Sequence, residues 1–566
     1  MDLRQILAHP RSPWLIVAGL TALFLAAGLS NLGAVGFPSS GWAGDGEAVL
    51  DLGSVQRVDR VFLAVLDPEP LKAAVSCGAP GAWSVPSVAS AQGYYRQWAS
   101  ATTRCDTRYV RLNFTESRAT VAEVVAVRDL EVVPVAGVEG PPGAGRLSDE
   151  AALATEAPTY LHGAYFDEIY FMRTADEYLR RAPPFFEWTH PPLAKDLVAL
   201  SILVAGNGPF GWRLLGVLAG AAAIPAAYLL GRNLLGNRRA GIVSAALVTF
   251  DFMHFAQARI ATGEIFLFLF LTGMWAFFAA WWMAPREKLV RKEAAIWKHP
   301  LFLALALFGL ALSVKVVAVN SLAALLLLAL ARVWRERDLF RASLRPFAAG
   351  VAVAGAIYLS AYAPYYASGL GLGEVLSEQC CGPRSIFAYH ATLEAPHPYG
   401  SPWWSWPLLL HPLWMHGETF GSQVSTIVSM GNPAVWWAGL LFVLLALPRV
   451  RQERAALFIV AVWAIQWAAF APIGRVLFIY HYFPNVAILA LGCAWGVERE
   501  WARDPKRGLW LAAGLIGAAA LLFALFYPVI SGTPTDSAYK EALRWIRFGF
   551  PLWWGKNHGQ PASWDF

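Results

Sequence analysis

"FGWRLLGVLAGAAAIPAAYLLGRNLLGNRRAG" (residues 210–241) decides how the rest of the chain is read. A helix needs about 20 apolar residues to cross a bilayer. Residues 211–231 supply such a run, with one charge, Arg213, near its leading end. Arg232, Arg238 and Arg239 follow, and a second apolar run opens at 240. An apolar run, a short basic loop and another apolar run together mark a chain that threads a membrane repeatedly.

Working outward, comparable runs lie at 13–33, 240–258, 265–284, 300–315, 317–334, 346–366, 426–447, 455–473, 484–498 and 508–530, making eleven predicted spans. "LAKDLVALSILVAG" (193–206) is too short to span and reads as an interfacial or re-entrant helix. The first run follows Arg4 and Arg11 as a signal peptide would, but it is long enough to span and further spans follow. Composition agrees: 57% of the 566 residues are hydrophobic and 15% charged, against about 25% charged in soluble domains. The formal charge of +6 sits in short clusters between apolar runs and does not point to nucleic acid. With the N-terminus cytoplasmic, the loops "GRNLLGNRRA", "PREKLVRKEAAIWK", "RVWRERDLFRASLR", "PRVRQER" and "REWARDPKRG" all fall inside, and all are rich in Arg and Lys. Counting 193–206 as a span would put all five outside.

This topology predicts a first transmembrane helix within 1–36, helices 2–7 in 211–366, helices 8–11 in 426–531, and an outer C-terminal tail, 532–566. Two further outer segments result, 34–210 and 367–425. Within the first, 37–140 changes character: "EAVLDLG", "VDRVFLAVL", "RYVRLNF" and "VAEVVAVRDLEVVPV" alternate at period two between Gly, Pro and Ser signals, the pattern of an all-β sandwich. "VLDLGSVQRVDRVFL" and "TRYVRLNF" resemble discoidin-like jelly-rolls. Residues 141–210 form the outer loop that follows. Five cysteines do not make a disulfide framework; Cys77 and Cys105 can pair if their region lies outside the cytoplasm, and Cys380–Cys381 is a vicinal pair.

Polar residues set in apolar sequence collect on the outer side. "GAYFDEIYF" (163–171) carries Asp167 and Glu168. "EWTHPPLAK" carries His190 and Lys195, and "FGWRLL" carries Arg213. "QARIATGEIF" holds Arg259 and Glu264, and "ALSVKVVAV" holds Lys315. His390 stands alone, "HPYGSPWWSWP" holds His397 and Tyr399, and "GRVLFIYHYFP" holds Arg475, Tyr480 and His481. Each has a structural reading: acids at a helix start favour the macrodipole, a lone Arg snorkels, "HPP" makes a rigid turn, and the tryptophans anchor an interface. Asp176 and Glu177 read as a solvated helix face. As a set, cations near the bilayer suit a lipid phosphate, a carboxylate suits proton removal from a hydroxyl, and aromatics suit a sugar.

"FDEIYF", "FFEWTHPPLAKDLVAL", the opening stretch, "FAQARIATGEIFL", "GLALSVKVVAV", "HPYGSPWWSWPLLLHPLW", "MGNPAVWWAGLL" and "RVLFIYHYFPNVAILAL" together resemble the protein O-mannosyltransferases, membrane glycosyltransferases of the GT-C class. The resemblance covers nearly the whole chain outside 40–138. It implies an inverting transfer of mannose from a polyprenyl phosphate to Ser or Thr of exported proteins, at the outer face of a bacterial cytoplasmic membrane. It matches Asp167 to the family's catalytic Asp and Glu168 to its paired acid. Arg213 matches an Arg important for activity, and Arg213, Lys315, Arg475, Tyr480 and His481 stand where donor phosphate or sugar contacts are expected. His190, Lys195, Arg259, Glu264, His390, His397 and Tyr399 are further site candidates. Adjacent residues point about 100° apart on a helix, so Asp167 is assigned as base and Glu168 as organiser of the pocket. No metal is required by this chemistry, although a divalent cation is compatible with it. The expected partners are polyprenyl-phosphate-linked mannose, Ser/Thr-containing acceptor proteins and membrane lipids, with a glycan or peptide as an open ligand for the β-sandwich. Two departures stand out. Residues 367–425 are too short for the β-trefoil of eukaryotic members, and Glu264 replaces a frequent Asp. The rival readings are a GT-C enzyme that glycosylates a lipid or surface polysaccharide, and a transporter or scaffold.

Overall fold

The computed structural model describes residues 12–114, 117–290, 295–382 and 385–566; the Cys380 and Cys381 side chains lie outside the described residues. A helix occupies each predicted span: α1 (Ser12–Leu29), then α4 (Pro209–Leu235), the pair α5 (Arg238–Thr249) and α6 (Phe252–Ala258), α7 (Glu264–Met283), α8 (Pro300–Val314), α9 (Val319–Arg335), α10 (Asp338–Ser360), α11 (Pro433–Ala446), α12 (Arg454–Ala468), α13 (Val486–Arg503) and α14 (Pro505–Ser531). Ahead of α4 lie α2 (Glu168–Arg180) and α3 (Leu193–Ala205), the latter covering the run read as interfacial. Among the described residues five helices are long and apolar enough to cross a membrane, or six if α5 and α6, bent by 60° at Asp251, form one broken span. α1, α8, α11 and α12 are shorter apolar helices.

The expected eighth span starts late. Residues 423–429 are a strand, and the helix begins only at Pro433, with the Asn432 side chain accepting from the Ala434 N–H. The β-branched alternation of "QVSTIVS" followed by an Asn cap and a Pro at the first helical position explains the switch.

β1 (Glu47–Val65), β2 (Leu71–Ala79), β3 (Ala82–Trp83), β4 (Ser87–Ala91), β5 (Gln97–Asn113), β6 (Val121–Arg128), β7 (Glu131–Val133) and β8 (Gly137–Glu139) form one antiparallel network, ordered β3-β2-β5-β1-β6-β7, with β4 on β2 and β8 on β1. Register shifts at Asp51/Gln56 and Val58/Arg60 bend the long β1, so that it serves two groups of partners around a core of Val61, Leu63, Val65, Val110 and Leu112. Cys77 and Cys105 form a disulfide across this unit. β9 (Leu413–Phe420) and β10 (Gln423–Ser429) form a hairpin, and β11 (Thr535–Asp536) extends its sheet. The C-terminal residues fold back as a second hairpin, β12 (Arg547–Trp554) with β13 (Asn557–Ser563).

Candidate active site

Asp167 is the N-cap residue of α2, yet its carboxylate makes no capping bond. Among the described residues this carboxylate has no hydrogen bond or ion pair. Phe166, immediately before it, has φ 49°, an uncommon conformation for a bulky residue that tends to collect at functional sites. Burial pushes the Asp167 carboxyl up to about 7; the negative Glu264 adds to this, Lys315 opposes it, and Glu187 contributes a further upward push. A half-buried acid with no structural bond and such a poise can exchange a proton near neutrality.

Glu168 is the opposite case. It is buried, as is Arg213, and the two form a bidentate pair, Nε to Oε1 at 2.6 Å and Nη2 to Oε2 at 2.7 Å. The remaining Arg213 donors reach Leu32 O and Tyr160 O, both at 2.8 Å, and Gly163 O at 2.9 Å. Glu168 also accepts from the Ala261 N–H at 3.0 Å and the Tyr165 N–H at 3.2 Å. With all five guanidinium donors engaged, Arg213 does not fit the expected donor-contact role; from α4 it ties the 160–168 loop to the segment after α1, and Glu168 adds the tie to the loop after α6. The adjacent acids therefore differ in their bonding: Glu168 is fixed inward, and the Asp167 carboxylate is left without a partner among the described residues.

Arg259 is corrected in the same sense. It is buried, and its guanidinium donates to Gly28 O at 2.6 Å and to Ser30 O and Asn31 O, both at 2.7 Å. It satisfies carbonyls at the C-terminal end of α1, as a cation at a helix end does. Lys195 is also buried and used up: Nζ donates to His190 O at 2.7 Å, to Glu187 O at 2.8 Å and to the Glu187 carboxylate. Burial alone would raise Glu187, but Lys195 and His190 together hold it below the ordinary carboxylate range. Glu187 was missed at the sequence level, although an acid within "FFEWTHPP" carries the same signal as the DE pair. Asp176 and Glu177 are not a solvated face. Asp176 is buried and accepts from Asn207 Nδ2 at 2.9 Å, and Glu177 accepts from the Phe186 N–H at 2.7 Å.

A cavity of about 630 Å³ lies beside this loop, with Thr189, His190, Lys315, His390, Arg475 and His481 in its wall. Lys315 donates to Glu264 at 2.5 Å and lies 5.0 Å from the Tyr480 ring. Among the described residues Arg475 makes no hydrogen bond or ion pair, so it is the cation most available to an anion. His390 is held neutral, its pKa pushed down to about 3 by burial, by the neighbouring His190 and by Arg475. Lys556, at the β12–β13 turn, also reaches the cavity and pairs with Glu394 at 2.9 Å. Nothing in the sequence joined that turn to the site. His397 sits between Phe166 and Phe478, and Tyr399 stacks on His411; neither is among the residues that line the cavity.

The Asp167 loop is held from above by the β-unit. Trp98 Nε1 donates to His162 O at 2.9 Å, Gln97 Nε2 donates to Ala164 O at 3.3 Å, and the Ala164 N–H donates to Arg96 O at 3.3 Å. Trp98→Ala is expected to lower kcat by about ten- to a hundredfold through misplacement of Asp167, with the donor KM unchanged and Trp98→Phe recovering part of the loss. Steady-state kinetics on both variants checks this.

Residues 207–363 match the family described as dolichyl-phosphate-mannose-protein mannosyltransferase. Residues 383–453 and 448–548 match the C-terminal four-transmembrane region of protein-O-mannosyltransferase. The chain is 24% identical over 425 residues to a polyprenol-phosphate-mannose–protein mannosyltransferase of Mycobacterium tuberculosis, covering 64% of this chain and 80% of the relative. It is 24% identical over 470 residues to the protein of the same name from Mycolicibacterium smegmatis, covering 70% and 89%. Its fold is similar to that of the Saccharomyces cerevisiae protein O-mannosyltransferase Pmt1–Pmt2 complex bound to the sugar donor, at a TM-score of 0.57 and 14% identity, covering 67% of this chain and 88% of that one. The two family matches, together spanning most of 207–548, and the relatives that share the name lead to one assignment: the chain belongs to the protein O-mannosyltransferases.

Proposed function

We propose that the protein transfers mannose from a polyprenyl-phosphate donor to Ser or Thr hydroxyls of exported proteins, with inversion at the anomeric carbon. The observation that carries this reading is an uncommitted carboxyl, Asp167, within electrostatic reach of Lys315, which lines a cavity that also holds the uncommitted cation Arg475. Asp167 takes the acceptor proton as the hydroxyl oxygen attacks C1. The bond from C1 to the phosphate oxygen breaks, and Arg475, with Lys315 and Lys556, holds the charge that gathers on the departing lipid phosphate. Tyr480 and His481 face the sugar, while Glu168 and Arg213 act by position alone. The curated relatives' shared name, polyprenol-phosphate-mannose–protein mannosyltransferase, supports the donor and acceptor classes.

In this reading the chain crosses a bacterial cytoplasmic membrane eleven times, with its N-terminus inside and the jelly-roll-like β-unit, the site and the C-terminus outside. The basic loops on one side and the Cys77–Cys105 disulfide on the other support that orientation.

Incubating the purified protein with polyprenyl-phosphate-mannose and Ser/Thr peptides is expected to yield mannosylated peptide by mass spectrometry. Mannose appearing only on lipid or polysaccharide overturns the acceptor assignment. In the same assay Arg475→Met is expected to raise the donor KM by about ten- to a hundredfold, the worth of a charge-assisted contact.

A further inference from the structure

A second cavity, of about 250 Å³, borders the segment that leads into Asp167. Its walls are the 158–166 segment ending next to Asp167, the 94–98 turn and Phe62 of the β-unit, and Met415 to Glu418 of β9. β9 is an edge strand: it pairs with β10 and, among the described residues, with no strand on its other side. Exposed edges are normally covered, because their outward N–H and C=O groups recruit other strands. Here the cover is partial. Arg60 closes one end, donating to Glu418 at 2.9 Å and to Thr419 O at 3.1 Å, while the 415–417 portion borders the cavity. His416, in the same wall, has a buried Nε2 without a hydrogen-bond partner.

We infer that an extended segment of the acceptor polypeptide docks in this cavity along the free edge of β9, adding a strand to the β11-β10-β9 sheet and presenting its hydroxyl to Asp167. The inference rests on the protein-acceptor reading above and names the surface that recognises the acceptor. An edge strand recognises polypeptide backbone, whatever its side chains, through alternating donors and acceptors. A glycan offers no such repeat, so the edge favours a peptide. Gly163 to Phe166 border this cavity, while Lys315 and Glu264, which act on the Asp167 charge, stand at or beside the larger one. The segment that borders the peptide cavity thus runs directly into the acid, whose charge is set by groups at or beside the larger cavity. The β-unit closes the peptide side through Tyr94, Gln97 and Trp98, which gives this insert a part in acceptor recognition.

The test uses the full-length protein, polyprenyl-phosphate-mannose and a set of peptides with one Ser or Thr, each N-methylated at a single backbone nitrogen. Methylation is expected to raise the peptide KM by about tenfold per lost bond at alternate positions flanking the hydroxyl, with the donor KM unchanged. Ala164→Leu, which narrows the cavity, is expected to raise the peptide KM in the same way. Uniform tolerance of N-methylation, or a loss without alternation, overturns the edge-strand site while leaving peptide mannosylation in place. An enzyme that mannosylates lipid and no peptide overturns both.

Discussion

Asp167→Asn is expected to cut kcat by about 10²–10⁴-fold, the span of a lost general base, without lowering the melting temperature of the detergent-solubilised protein, since burial disfavours the ionised carboxylate that the change removes. The second half of that expectation follows from what Asp167 does not do. It makes no capping bond to α2, and among the described residues it has no ion pair, so folding loses nothing when its charge is removed. pH carries the same information. With its pKa pushed up to about 7, Asp167 in its proposed role as base is ionised only as pH rises through that value, so kcat/KM is expected to climb from the acid side with a midpoint near 7. Glu264→Gln removes a negative neighbour and frees Lys315, both of which favour the ionised acid; the midpoint then moves to lower pH. Lys315→Met removes the opposing cation and moves it to higher pH. Rate profiles of the three proteins check the order.

Arg213→Met is expected to behave differently, with a loss of about 3–5 kcal/mol in stability, because it leaves the Glu168 charge buried without its partner. The Leu32, Tyr160 and Gly163 carbonyls lose their donor as well. Thermal unfolding reads this as a fall in Tm, and activity falls with the folded fraction. Glu168→Gln in the wild-type background is expected to lower Tm too, by stranding the Arg213 charge. The double variant is expected to be milder than the sum of the two, since each single change leaves a charge that the other removes. Two neighbouring acids then show opposite phenotypes: Asp167 is needed for rate and not for fold, Glu168 for fold first.

Much of the architecture was legible because bilayer physics leaves strong marks. Long apolar runs separated by Arg-rich loops located the helices, and period-two alternation in 37–140 located the strands. The boundary at 426 was misread because "STIVSM" is apolar enough to count toward a span; burial in protein produces the same composition as burial in lipid. Asp167, Glu264, Lys315, His190, His390, Arg475 and His481 were singled out by one signal, a charged or titratable group set in aromatic or apolar sequence. That signal cannot tell a group held ready from one already spent. Arg213, Arg259 and Lys195 carry it equally, and only their hydrogen-bond partners, distant in sequence, show them to be braces. Lys556 and His416 were out of reach for the complementary reason: they enter the site through the back-folding of the C-terminal hairpin and the edge of β9, which no local pattern announces.

The most direct test of the account is the stereochemistry of a single transfer. Direct attack by an acceptor hydroxyl, deprotonated by Asp167, on C1 of polyprenyl-phosphate-mannose inverts the anomeric centre. NMR of the mannosylated peptide, compared with the donor, is therefore expected to show the opposite anomeric configuration, with Asp167→Asn forming the same product far more slowly. A product that keeps the donor's configuration, or an Asp167→Asn protein as fast as the wild type, would contradict it.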